Sequence, residues 1–205
     1  MKNRLLVVLV VIVLCACILS GCSGNADNTI FGEVRIKPSS VKVGNLSFGA
    51  SQETVLEKEG LTEADVHIWD RGGGQTIIIS EKKIVYDEIA PCSSQKTYYF
   101  TDDKLTTVSY GIQYRDVPHA DAYASAMGVY EKLDGILSDA NVEGLESGDF
   151  DSLDEVGGSF TKQWRLGKIN LGLNMNYQDM SEADFTDMDQ FNLSISIAMD
   201  RTKMK

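Results

Sequence analysis

Few side chains in this 205-residue sequence are of a kind that performs chemistry. There are two histidines, His67 and His119, and neither lies in a His-Glu-x-x-His stretch. They have no cysteine or carboxylate at a familiar zinc-ligand spacing. No Gly-x-Ser-x-Gly elbow is present. Cys92 sits in Pro91-Cys92-Ser93-Ser94, a loop-forming context. A nucleophilic thiol needs a base and a group that orients the base. No motif around either histidine provides them, so Cys92 reads as incidental. Gly72-Gly73-Gly74 lacks the Gly-Lys-Ser/Thr ending of a phosphate loop and reads as a turn.

Carboxylates are the remaining candidates. Asp149, Asp151 and Asp154 crowd oxygens into one stretch, and Asp184, Asp187 and Asp189 do so again. Calcium takes about six to eight oxygens, which acidic loops can offer. Neither stretch has the glycine and glutamate of an EF-hand loop. Asp149, Asp151 and Asp154 are therefore weak calcium candidates, and solvated acidic loops are the preferred reading. No carboxylate pair is singled out for glycoside hydrolysis. No catalytic residue, metal or cofactor is expected. Of the two tryptophans, Trp164 shares an alternating strand with Phe160 and reads as core. Trp69 precedes Asp70-Arg71 and the glycines, and is the better candidate for an exposed aromatic that touches a partner.

Patterning sets the elements that position these groups. Ser51 is a helix N-cap, Glu53 complements the helix dipole, and Gly60 stops the helix. A short helical turn capped by Thr62 follows. Strands are expected over 76–80, 83–89 and 97–100. Val108, Tyr110, Ile112 and Tyr114 then alternate with smaller or polar residues. Tyr123, Ala126, Tyr130, Leu133 and Leu137 form an apolar stripe on a long helix over 120–140. Residues 141–158 read as a loop. Strands over 160–166, 169–177 and 191–199 close the chain. Helix then strands, twice, predicts an α+β fold: antiparallel sheets packed by helices, in two α-then-β-meander halves at 43–116 and 117–205, either separate or fused.

The N-terminus gives an address. Lys2 and Arg4 precede an apolar run from Leu5 to Leu19, followed by Ser20, Gly21 and Cys22. This is the order of a secretory signal peptide. The run is shorter than the roughly 20 residues that a membrane-spanning helix needs. Leu19-Ser20-Gly21-Cys22 resembles the lipobox of bacterial lipoproteins. That resemblance implies a signal peptide at 1–21 and a diacylglyceryl group on Cys22. It also implies attachment to the outer, extracytoplasmic face of the cell membrane, or to an outer membrane where the host has one. The polar stretch 22–42 is then a lipidated cysteine and tether. With the signal gone, Cys92 is the one cysteine besides Cys22, so the fold has to hold by packing alone.

The chain as a whole carries a net charge of −11, and the signal contributes only cations. So acidic a mature surface repels phosphate backbones, and no nucleic-acid partner is expected. Phe48-Gly49-Ala50-Ser51, Gly60, and the run Tyr98-Tyr99-Phe100 through Val108 make residues 43–114 resemble the BamE (SmpA/OmlA-type) lipoprotein modules. The doubled order resembles the tandem modules of beta-lactamase inhibitory protein. These resemblances imply a non-catalytic domain that binds a protein or cell-envelope partner. The alternatives are an inhibitor of a secreted or envelope enzyme, and an unrecognised envelope hydrolase.

Overall fold

Along Ile169–Gln178 every second side chain, from Ile169 to Tyr177, is buried, and those between are not. Such alternation places one side of a strand in apolar surroundings and the other in water. The computed structural model carries this pattern across a whole sheet. It describes residues 28–37, 40–115, 117–150, 153, 158–178 and 190–200.

A helical turn, α1 (Ile30–Glu33), leads into a hairpin of β1 (Val34–Lys37) and β2 (Ser40–Val43). Helix α2 (Gln52–Glu59) follows. A meander comes next: β3 (Val66–Gly72), β4 (Gln75–Ile84), β5 (Ser94–Thr101) and β6 (Lys104–Tyr114). Helix α3 (His119–Asp139) precedes a second meander of β7 (Gly144–Gly148), β8 (Gly158–Leu166), β9 (Ile169–Gln178) and β10 (Gln190–Met199). The two meanders are one eight-stranded antiparallel sheet in the order β3-β4-β5-β6-β10-β9-β8-β7. They join where β10 pairs with β6, with Phe191 opposite Tyr114 and Ala198 opposite Thr107.

This is a predominantly β fold, which corrects the α+β expectation. Among the described residues only one helix, α3 with 21 residues, is long, while α1 has four and α2 eight. They do not form a helical layer to match the sheet. Two strands were not expected: β3 fills the stretch between the turn at Thr62, present as a 3-10 turn over Glu63–Asp65, and the glycines, and β7 lies in the expected loop 141–158. Both are edge strands, mostly exposed on both faces, so neither shows the one-sided alternation by which strands are recognised. The two strands expected over 76–89 are one irregular strand, β4, whose pairing with β5 shifts between Ile79 and Lys83, followed by a 3-10 turn at Asp87–Ile89. The expected tether is folded from Asn28 onward: Ile30, Val34, Val41 and Val43 are all core residues.

Local chemistry explains the joints. Ser51 Oγ accepts from the Thr54 amide, and Gly60 closes α2 in the left-handed region at φ 61°. Asp102 and Asp103 both take positive φ, 51° and 58°, giving β5–β6 a tight hairpin turn. On its inner side the sheet packs against the stripe Ala122, Ala126, Val129, Leu133 and Leu137 of α3, Val55 of α2 and the N-terminal turn and hairpin.

Candidate functional site

The outer side of the sheet is built from the other half of each alternation. Register places Thr97, Ser109, Ser196 and Gly172 in one row across β5, β6, β10 and β9. The neighbouring row is Tyr99, Thr107, Ala198 and Asn170, and beyond the first row lie Gln95, Gly111, Ser194 and Asn174. None of these residues is charged, although 30 of the chain's residues are acidic and 19 basic. Hydroxyl and amide groups lose far less on desolvation than charges do. A floor of this kind suits burial against a partner, and interface cores are depleted of charge for the same reason. Its hydrogen bonds stay within the sheet: Asn174 Nδ2 donates to Thr161 Oγ1 at 2.8 Å, and Asn176 Nδ2 to the Gly158 carbonyl at 3.3 Å.

The floor ends in an aromatic and aliphatic corner. Trp69 lies opposite Ile77, which lies opposite Tyr99, while His67 lies opposite Ile79, which lies opposite Thr97. Trp69 is 47% exposed, and its ring meets His67 edge-on with centroids 5.4 Å apart. Trp69, the candidate for a partner contact, is thus on the outer face of an edge strand. Trp164 is buried on the inner side, beneath the Lys162 ammonium.

At another margin of the floor, Lys83, Cys92, Gln95, Gln113, Arg115 and Asn192 line a cleft of about 630 Å³. Burial raises the Cys92 thiol above its ordinary range, which keeps it protonated and a poor nucleophile. Neither histidine activates it. His67 is on β3, and His119 is fixed elsewhere: its Nε2 is 2.9 Å from the Leu153 carbonyl oxygen and its ring lies 3.9 Å from that of Tyr177.

Two charged clusters lie on the inner side. The Lys96 ammonium donates to Glu33 and, at 2.8 Å, to Glu59. Tyr98 donates to Glu59 at 2.8 Å and Tyr86 to Glu33 at 2.6 Å. Burial by itself would lower Lys96, but the two carboxylates override it and hold the lysine above its ordinary value. Lys162 reaches Asp134 at 2.7 Å and Glu146 at 2.6 Å. Its ammonium too is raised, desolvation being outweighed by hydrogen bonds to Asp134, Glu146 and Tyr130. Glu33 and Glu59 form a carboxylate pair, but a lysine already bridges them inside the core. Parity alone marks both lysines in the sequence: each occupies an inward position, Lys96 between Ser94 and Tyr98, Lys162 between Phe160 and Trp164. A lysine at such a position needs a buried counter-charge.

Cys22, Asp151 and Asp154 lie outside the described residues, as do Asp184, Asp187 and Asp189. Asp149 directly follows β7. Among the described residues no group of three or more His, Cys, Asp or Glu could hold a metal ion, and no helix is long and apolar enough to cross a membrane.

No family model matches the chain, and no curated protein matches it. Among solved structures it is similar to one described as a rolling circle replication initiator protein from Geobacillus stearothermophilus, at 12% identity over 75% of this chain and 67% of that one. The TM-score is 0.24, which supports no statement about shared fold or activity.

Proposed function

We propose that this is a lipid-anchored extracytoplasmic protein, held at the membrane through Cys22, whose outer sheet face binds a protein or cell-envelope partner without catalysis. The observation that carries the binding part is the uncharged floor across β5, β6, β10 and β9 that ends at exposed Trp69. Leu19-Ser20-Gly21-Cys22 supports the anchor.

The test has two arms. Capture from solubilised membranes should recover a partner with the wild-type chain and lose it with Ser196→Arg, which puts a charge into the floor. Equal recovery with both would reject the face. Separately, Cys22→Ala should release the protein from the membrane fraction and leave an uncleaved N-terminus. Normal membrane retention and maturation of that variant would reject the anchor.

A second reading is an inhibitor of a secreted or envelope enzyme. Trp69 favours it, because an exposed aromatic beside a neutral sheet face can plug an enzyme cleft. Inhibition of a secreted hydrolase, lost in Trp69→Ala, would select it over the first reading.

A further inference from the structure

The sheet has two edges, and they are finished differently. An open edge presents unpaired amides and carbonyls and invites another strand, so proteins blunt it with short strands, bends, glycine or charge. The β7 edge has such devices. It is five residues long, and its last residue, Gly148, takes φ 98° with the Ser159 carbonyl packed where a side chain would be. Its inward Glu146 is tied to Lys162. The β3 edge has none of them from Val66 to Trp69. Ile68 projects from the inner face and is 46% exposed, although its cross-strand neighbour Ile78 is fully buried. His67 and Trp69 project from the outer face and are exposed too. The core side of the sheet therefore runs out to this edge uncovered, with apolar groups on both faces.

The strand is also complementary to itself. An antiparallel pair of β3 strands centred on Ile68 places Ile68 against its own copy on the inner face. On the outer face it places Trp69 against His67 of the second chain, the same ring types that already meet edge-on within one chain. Moving the centre by one residue would put Ile68 opposite Trp69, on the other face, and lose these matches. We infer that β3 pairs with β3 of a second copy of this chain in that register, making one continuous sheet across a two-fold axis. The occupant is a second copy because, with the same strand reversed, Ile68 meets its own copy and Trp69 meets His67. This inference does not depend on what binds the outer face.

Cysteine cross-linking of the full chain in its native membranes tests it. Opposed Cα atoms in an antiparallel pair lie about 4.5–5.5 Å apart, within disulfide range. With a mild oxidant, Ile68→Cys should give a disulfide-linked species of doubled mass on a non-reducing gel, well above the wild-type background. Leu145→Cys, on the other edge and 81% exposed, should stay at background. Co-expressed His67→Cys and Trp69→Cys chains should cross-link to each other more than either does to itself, which fixes the register without altering Ile68. A monomer for Ile68→Cys, or as much product from Leu145→Cys, would overturn the pairing. Equal products from all His67→Cys and Trp69→Cys combinations would overturn the register.

Discussion

The Lys96 ammonium donates across 2.8 Å to the Glu59 carboxylate, joining the third strand of the first meander to the last turn of α2 beneath the sheet. Glu33, at the end of α1, accepts a second hydrogen bond from the same ammonium. One inward lysine thus ties two helical segments to the sheet, and two tyrosine hydroxyls occupy further acceptor positions on the carboxylates.

Breaking that tie should cost much more than an exposed ion pair would. Lys96→Met leaves two largely buried carboxylates without their cation, and loss of one side of a buried pair typically costs about 3–5 kcal/mol. Urea denaturation measures it. Replacing all three groups, Lys96→Met with Glu33→Gln and Glu59→Gln, should recover most of the loss, because no charge is then stranded. Wild-type stability in Lys96→Met alone would contradict the assignment.

Stability should fall in alkali. Burial pushes Tyr114 up from 10.0 to about 12, with its hydrogen bond to Ser125 acting the other way. Lys96 is raised as well. A group whose folded value lies above its unfolded one stabilises fully below the unfolded value and loses that contribution as pH rises through the folded one. The melting temperature should therefore decline across about pH 10 to 12, and Tyr114→Phe should make the decline shallower. A melting temperature constant across that window would be inconsistent with these burials.

The two tryptophans should behave oppositely. Trp164 is 2% exposed, and Trp164→Ala should destabilise by about 3–5 kcal/mol through the cavity it leaves. Trp69→Ala should change stability by no more than about 0.5 kcal/mol. Acrylamide should quench the fluorescence of the Trp164→Phe variant, which retains Trp69, strongly, and that of Trp69→Phe weakly.

Cys92 should resist alkylation in the native state. Its thiol is buried and held protonated. Peptide mapping after iodoacetamide treatment at mildly alkaline pH should find Cys92 unmodified, and modified once denaturant is added. Rapid labelling without denaturant would mean that the loop after Asp87–Ile89 opens freely.

The parts legible in the sequence are those with one-sided burial. The β6, β9 and β10 alternations and the α3 stripe are visible because each touches core on one side only. The caps of α2 are visible because Ser51 and Gly60 have local jobs. Edge strands β3 and β7 are not visible, since their place depends on partners distant in the chain. The outer floor is hidden for another reason. Serine, threonine and asparagine at alternate positions look like ordinary solvated residues until register sets them side by side. Trp69 stood out by its neighbours alone, but its position at the end of that floor needed the pairing of three strands.

The pairing of β6 with β10 also fixes an order of events. A ribosome delivers the chain from its N-terminus, so β3 to β6 are complete long before β10 exists. Until then β6 is an unprotected edge, with a partner roughly eighty residues away and the cost of closing that distance still unmet. The eight-stranded sheet therefore remains a four-stranded and a three-stranded part until its final strand is inserted between them. A chain stopped short of Gln190 would expose two raw edges at the centre of the molecule, inviting capture by another nascent copy.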